Sequence, residues 1–358
     1  MEYVIGSKED NEDIIDFIDL IFSKNSGPHD FKTLLPKLYT NNTSMYHYLA
    51  KEDGKIRGVI CVYPFTIKMG DDYLECNGVG SVSVHPSQRG KGIMKKLMDF
   101  ALCNMDCHVS FLFGNRHRYQ YYGYEKGGTQ FNFTFTKDSL KHGNLKEKYD
   151  LKFIEGFNNE ILNLYRNEKM YIQRNNSFEK TCKTWGNKLY GIYCEENFIG
   201  YIVFNNNKIV ELILNNMKYM PSVLIEHMNL QDIDESNLIL SSLDKNKIKY
   251  FLDLKENYTI EENANINILN FPYFLKFNIK ANLIYKKIKY SNVIEFDGVK
   301  YKINIDDYDV TVEETTENAI ITLPRNQGVE ILFSPLGKYL LEDELFPLDV
   351  YVSPLDLI

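Results

Sequence analysis

Residues 82–93 read VSVHPSQRGKGI and contain the residue types that can bind a pyrophosphate. Gly90 and Gly92 lack a Cβ atom, so the backbone around them can turn tightly and approach a ligand closely. Arg89 and Lys91 add positive charge to the same turn. A helix that begins directly after this loop would point its free N–H groups and the positive end of its dipole at the ligand. The spacing fits neither a Walker A loop nor a dinucleotide-binding fingerprint, so it indicates another kind of phosphate site.

The segments on either side of the loop read as a strand and a helix. Upstream, residues 79–85 place Val82 and Val84 on one face, with small residues around them that leave room for a ligand beside the backbone. Downstream, apolar residues recur with helical spacing over 93–106, which predicts an amphipathic helix. The order strand, glycine loop and helix therefore places strand backbone and loop amides beside one ligand.

Two motifs carry a family resemblance. The strand and loop resemble motif A of the GNAT N-acetyltransferases through the run Val82-x-Val84-x-Pro86-x-x-Arg89-Gly90-x-Gly92. In that family, this loop holds the pyrophosphate of acetyl-coenzyme A. Residues 113–124 read FGNRHRYQYYGY and resemble the family's second motif, Tyr-x-x-aromatic-Gly-aromatic after a short strand. Finding both motifs at the family's spacing is more specific than finding either alone.

The resemblance implies that acetyl-coenzyme A is the cosubstrate. It assigns the pantetheine arm and the acetyl oxygen to the strand backbone, and the pyrophosphate to the loop and the first helical residues. A residue just past the next strand would also reach the pantetheine. The cosubstrate residues so implied are Val82, Ser83, Val84, Arg89, Gly90, Lys91, Gly92, Ile93, Met94 and Asn115.

Acetyl transfer to an amine needs one group that takes the ammonium proton and another that protonates the leaving thiolate. The resemblance places Tyr119, the first tyrosine of the second motif, beside the thioester sulfur. A phenol stays protonated at neutral pH, so we expect Tyr119 to be the general acid. Three candidates for the general base remain open. They are Glu75 upstream on the strand, a chain of waters, and the carboxylate of Ile358, since a C-terminal carboxylate lies in the active site of the enhanced intracellular survival acetyltransferases.

The composition restricts the class of protein. The chain has 358 residues, of which 44% are hydrophobic and 25% charged, enough for about two or three globular domains. A net charge of −8 does not favour nucleic acid; it suits cationic small molecules or serves solubility alone. The six cysteines lack metal-site spacing, so we expect free thiols and no metal. Without a signal peptide or an apolar span, we expect a cytoplasmic protein that does not cross a membrane.

The element pattern predicts an α+β chain of three domains. Residues 1–137 read as a complete GNAT domain, a mixed and mostly antiparallel sheet with flanking helices, whose last strand is 131–136. Residues 149–273 repeat the order of elements, but 215–221 read NNMKYMP where the glycine loop should be, so this second GNAT domain would be degenerate. Residues 275–358 are strand-rich. The tandem resembles the enhanced intracellular survival acetyltransferases, which implies that this small third domain is similar to sterol carrier proteins.

The most specific hypothesis is an acetyl-coenzyme A-dependent N-acetyltransferase that acts on a primary amine of a small, cationic substrate by direct attack in a ternary complex. A different class stays open: a non-catalytic acyl-coenzyme A sensor whose third domain binds a lipid or a partner. Aminoacyl transfer from tRNA would not need an intact coenzyme A loop. The sequence leaves open the acceptor and the choice between a monomer and a homo-oligomer.

Overall fold

The computed structural model describes residues 1–142, 148–174, 177–284 and 287–358. The helical segment over 31–39 is divided in two, because Pro36 lacks an N–H group and disfavours helical geometry in the residue before it. The first described range contains, in chain order, β1 (Glu2–Ile5), α1 (Asn11–Ser26), α2 (Phe31–Leu34), α3 (Pro36–Tyr39), β2 (His47–Glu52), β3 (Lys55–Met69), β4 (Asp72–Val84), α4 (Ile93–Cys103), β5 (Val109–Leu112), α5 (Arg116–Tyr119), β6 (Glu125–Gly127), β7 (Gln130–Thr136) and α6 (Lys137–His142).

The middle of the chain again combines strands and helices. The elements there are β8 (Leu151–Glu155), α7 (Asn159–Arg166), β9 (Tyr171–Ile172), α8 (Phe178–Cys182), β10 (Lys188–Cys194), β11 (Asn197–Asn205), β12 (Lys208–Leu214), α9 (Met220–Gln231), β13 (Glu235–Ser241), α10 (Lys245–Phe251), β14 (Asn257–Glu261), β15 (Ala264–Ile268) and α11 (Phe271–Leu283).

The part of the chain predicted to be strand-rich, residues 275–358, begins inside a helix. Helix α11 extends through Leu283, and its N-terminus is fixed by the Asn270 side chain, which accepts a hydrogen bond from the N–H of Tyr273. Proline in the first turn suits such a helix start. The remaining elements are β16 (Lys289–Phe296), β17 (Val299–Asp306), β18 (Asp309–Glu314), β19 (Ile321–Leu323), α12 (Arg325–Phe333) and α13 (Gly337–Leu340).

Two sheets share one arrangement of strands. The first runs β1-β2-β3-β4-β5-β15-β6, and the second runs β8-β10-β11-β12-β13-β7-β14 when read from its other edge. In each, a parallel pair joins two antiparallel parts, β4 with β5 in the first sheet and β12 with β13 in the second. The mixed α+β class with GNAT-like sheets and flanking helices is therefore confirmed.

Strand pairing corrects one part of the predicted organisation. Strand β7, predicted as the last strand of the first sheet, lies in the second sheet between β13 and β14. Strand β15 makes the reverse exchange and lies in the first sheet between β5 and β6. Periodicity predicts that a segment is a strand but not which strand it pairs with. The sheets therefore cross the boundaries expected near residues 137 and 273.

The last part of the chain forms a third sheet in the order β18-β17-β16-β19, and its similarity to sterol carrier proteins stays a prediction. After α13, the chain returns to the other two sheets without forming another regular helix or strand. The carbonyl of Val350 accepts a hydrogen bond from the N–H of Thr129, and the Asn263 side chain accepts one from the N–H of Val352. We call residues 349–358 the tail, because they link all parts of the fold.

Candidate active site

The parallel strands β4 and β5 separate partway along their length. They pair from Cys76 with Val109 to Val79 with Leu112, and β4 then continues to Val84 beside β3 but without a partner on the β5 side. A bulge interrupts the pairing of β4 with β3 at this point, where Ser81 takes a left-handed conformation with φ of 51°. A bulge bends a strand and redirects its groups. The backbone beyond it is therefore free of a partner on the β5 side.

A buried chain of side chains supports the bulge. The Tyr39 hydroxyl lies 2.8 Å from Oγ of Ser81 and 3.3 Å from Nε2 of His47. Nδ1 of His47 lies 3.1 Å from the carbonyl of Thr43, so Nδ1 donates and Nε2 accepts from Tyr39. Burial lowers the pKa of His47 to about 4, which keeps the ring neutral. The chain thus fixes Ser81 without adding a charge to the core.

The predicted glycine loop follows β4 and leads into α4. Gly90 and Gly92 have φ of 78° and 74°, which favours glycine, and Gly92 is the N-cap residue of α4. A Cβ atom built on either glycine meets no other atom within 4 Å, so open space lies beside both. Helix α4 packs its buried side chains against the sheet, which fixes its N-terminus beside the loop. This arrangement fits a pyrophosphate.

A cavity of about 720 Å³ lies between the loop and the unpaired end of β4, and we call it the loop groove. Most of the predicted cosubstrate residues line it: Val82, Ser83, Val84, Arg89, Gly90, Gly92, Ile93 and Met94. Its other lining residues were not predicted from the sequence: Ile21, Phe22, Gln88 and Arg118. The groove is large enough for a ligand of cofactor size.

The structure does not bring two of the predicted cosubstrate residues, Lys91 and Asn115, to the wall of the loop groove. The Lys91 ammonium donates a 2.8 Å hydrogen bond to the Gln88 side chain. Asn115 is exposed, and its backbone carbonyl accepts hydrogen bonds from the N–H groups of Arg118 and Tyr119 at the start of α5. Asn115 therefore shapes the turn that carries Arg118, and Arg118 is the residue that lines the groove.

Tyr119 is buried below this turn with 7% of its surface exposed. A Cβ atom on Gly114 would lie 2.5 Å from the Tyr119 ring, so the glycine gives the ring its space. Burial raises the pKa of Tyr119, while the positive charge and a hydrogen bond of Arg118 oppose that rise. The hydroxyl therefore stays protonated at neutral pH and contacts a residue of the groove wall.

The tail brings Ile358 to the bulge. The carbonyl carbon and oxygen of Ile358 lie so close to Gly80 that a Cβ atom there would be 2.8 Å from both. The buried Lys37 donates hydrogen bonds of 2.7 Å to the carbonyl of Leu355 and 3.2 Å to that of Leu357. Gly80 leaves the space that the end of the tail needs against β4, and Lys37 holds the tail there by its two hydrogen bonds.

A buried ion cluster fixes the same segment from the other side. The Arg174 guanidinium contacts Asp356 of the tail at 2.7 Å and Glu211 of β12 at 2.6 Å. The side chains of Arg174 and Asp356 are 1% and 4% exposed. Removing one partner from such a cluster leaves an uncompensated charge, which is strongly destabilising. These contacts join residues distant in sequence, and no motif predicted them.

Glu75 lies away from this site. It is exposed on the outer part of β4, five residues before Gly80 and therefore about 16 Å away along the strand. Its backbone N–H donates to Nδ1 of His108 at 3.0 Å. Of the two residues considered for the general base, the structure brings Ile358, and not Glu75, to the bulge.

Known proteins resemble this chain in its first domain and in its fold. Residues 3–127 match the family model described as Acetyltransferase (GNAT) domain. No curated protein matches the chain in sequence. Among solved structures, a GCN5-related N-acetyltransferase from Anabaena variabilis is 17% identical with a TM-score of 0.72 and full coverage of both chains. A probable N-acyltransferase from Enterococcus faecalis V583 is 16% identical with a TM-score of 0.68, over 98% of this chain and 97% of that one. Eis1 from Mycobacterium abscessus is 11% identical with a TM-score of 0.64, over 92% and 89%.

These findings define the class of protein. Residues 3–127 match a GNAT acetyltransferase domain, the domain of an acyltransferase, which the glycine loop and the second motif predicted. The whole chain shares its fold with solved GNAT N-acetyltransferases of similar length. Among the described residues, no helix is long and apolar enough to cross a membrane.

Proposed function

We propose that this protein is an acetyl-coenzyme A-dependent N-acetyltransferase that acetylates a primary amine of a small, cationic molecule. One observation carries the proposal: the glycine loop, the N-terminus of α4 and the β4 segment 82–84, which has no partner on its β5 side, line a single groove. A helix N-terminus and loop amides bind phosphate, and exposed strand backbone can bond an amide-rich arm. We further propose that the second sheet is a GNAT unit without a cosubstrate site, because its loop has no glycine.

The chain's own residues supply positioning and proton transfer. Acetyl-coenzyme A supplies an acyl group activated as a thioester. The backbone N–H groups of 82–84 that face away from β3 bind and orient the arm of the cosubstrate, which places the reacting groups in one geometry. The carboxylate of Ile358, which follows the Leu357 carbonyl that Lys37 holds, accepts the proton of the acceptor's ammonium. Tyr119 holds a proton at its hydroxyl for the leaving group, and its raised pKa keeps that proton in place.

The proposal is tested by incubating the protein with acetyl-coenzyme A and a panel of primary amines, and detecting acetylated products by mass spectrometry. Two tail variants make a matched pair. Ile358→Ala keeps a carboxylate at position 358, whereas deletion of Ile358 moves it back by roughly 3.5 Å. We expect Ile358→Ala to retain most of the rate and the deletion to lose about 10²-fold or more, the usual contribution of a positioned base.

Coenzyme A binding is measured on the same samples. Full binding with no acetylated amine in the panel would refute the transferase. Equal rates in the two tail variants would exclude the Ile358 carboxylate from the mechanism without contradicting the proposed transferase activity.

A further inference from the structure

Residues 119–124 form the turn that carries the proposed general acid. The Tyr119 carbonyl accepts a hydrogen bond of 3.4 Å from the N–H of Tyr124, and the two rings meet edge to face with centroids 6.4 Å apart. The Tyr124 hydroxyl lies 2.7 Å from Oγ of the buried Ser110 on β5. Gly123 takes a φ of 85°, which favours glycine. The position of Tyr119 therefore depends on how this turn is held.

A buried asparagine of β15 holds the turn on its other side. Asn267 is 2% exposed, and its Nδ2 donates a hydrogen bond of 2.9 Å to the carbonyl of Tyr122. Its Oδ1 accepts one of 2.9 Å from Arg325. A carbonyl only accepts and a guanidinium only donates, so these two partners fix the orientation of the amide.

The turn packs directly against this pair of side chains. A Cβ atom on Gly123 would lie 2.9 Å from Oδ1 of Asn267 and 3.1 Å from Nε of Arg325. The turn thus has no room to move towards β15. Its path is set by the asparagine and the arginine together.

Arg325 comes from a distant part of the chain. It is the first residue of α12 and follows the third sheet. Besides Asn267, its guanidinium donates to the carbonyl of Ile268, and to the Asp297 carboxylate at 3.2 Å. A planar guanidinium with five donors in fixed directions can hold all three acceptors, which an ammonium does less rigidly. The arginine therefore links the third sheet to the turn below Tyr119.

We infer that Arg325 is a positioning residue for acetyl transfer: through Asn267, it fixes the turn that holds the Tyr119 hydroxyl at the leaving group. The inference rests on the proposed function, in which Tyr119 is the proton donor. A general acid acts only within hydrogen-bond reach of its target, and a displacement of about 1 Å can cost about 10²-fold in rate. The residues that line the loop groove lie between positions 21 and 118, so Arg325 should not affect cosubstrate binding.

The test compares Arg325→Met with Lys302→Met in the full chain. Lys302 is a cation of the third sheet whose ion pair with Glu317 lies at the surface, so it is the matched control. Single-turnover acetyl transfer is measured with the amine of the panel that the parent chain acetylates fastest, and coenzyme A affinity is measured by calorimetry. Nuclear magnetic resonance of ¹³C-labelled tyrosine reports the surroundings of Tyr119, whose signal is identified by its loss in Tyr119→Phe.

We expect Arg325→Met to slow transfer by about tenfold to 10²-fold, with unchanged coenzyme A affinity and a shifted Tyr119 signal. Lys302→Met should match the parent chain in all three measurements. In the Tyr119→Phe background, Arg325→Met should change the rate by less than about twofold, because the acid that it positions is already absent. Arg325→Lys, a milder variant that keeps the charge with fewer donors, should lose less than Arg325→Met.

Four results would overturn the inference alone. They are a parent-like rate in Arg325→Met, an unmoved Tyr119 signal, a rate loss that multiplies fully with that of Tyr119→Phe, and weaker coenzyme A binding. A parent chain that transfers no acetyl group to any amine of the panel would instead refute the proposed function, and this inference with it.

Discussion

Lys37 gives a prediction whose magnitude follows from its burial. Its side chain is buried, and burial lowers the pKa of the ammonium from 10.5 to about 8. In the unfolded chain the lysine returns to its ordinary pKa. The charged form is therefore less favourable in the folded protein, and the free energy of unfolding rises as the pH rises from about 8 towards 10.5.

The size of this effect is set by the difference between the two pKa values. A folded pKa of about 8 against 10.5 corresponds to roughly 3 kcal/mol in total, of which about 2 kcal/mol falls between pH 7.5 and pH 10. Lys37→Met removes the titrating group. Compared with this variant, the parent chain should therefore gain about 2 kcal/mol of stability over that interval.

The assay is urea unfolding of both chains at a series of pH values. Comparing the two chains cancels the titration of other groups, and Lys188→Met, at an exposed position of β10, is the matched control. Lys37→Met also loses two hydrogen bonds to the tail, which lowers its stability equally at every pH. A stability difference that does not change with pH would mean that Lys37 is charged in the folded protein, and it would refute the reasoning.

Two further predictions concern the acid and the tail. Tyr119→Phe should leave coenzyme A affinity unchanged and slow single-turnover acetyl transfer about 10²–10⁴-fold, the contribution of a positioned acid; a rate within about twofold of the parent would exclude that role. Asp356→Asn should lower the free energy of unfolding by about 3 kcal/mol in urea, because it leaves the buried Arg174 cluster without one of its carboxylates. Asp306→Asn breaks a pair that is exposed on both sides and should not change stability, and equal effects of the two substitutions would contradict this account.

The loop groove could be predicted from the sequence because its strand, loop and helix are consecutive in the chain. A strand, two glycines and the first turn of a helix are consecutive, so their types and spacing determine the turn and the direction of the amides. The same applies to Tyr119, which belongs to a short motif on the next connection. Arg118 was missed although it precedes that tyrosine, because its side chain reaches the groove only through the fold.

The rest of the site depends on contacts between distant residues. Lys37 and Leu355 are 318 positions apart, and Arg174 and Asp356 are 182 apart, so no local pattern could indicate either contact. The exchange of β7 and β15 between the sheets has the same cause, since both segments have ordinary strand patterns. The role of the Ile358 carboxylate as a candidate general base came from the family resemblance alone.

The central claim is that the chain binds one coenzyme A, in the loop groove of the first sheet. Isothermal titration of coenzyme A into the full chain tests it most directly. Two variants are compared: Gly92→Asp adds one negative charge at the loop of the first sheet, and Asn215→Asp adds one at the corresponding loop of the second sheet. The account predicts one binding site per chain, no binding in Gly92→Asp and unchanged binding in Asn215→Asp. Two sites per chain, or unchanged affinity in a folded Gly92→Asp variant, would contradict it.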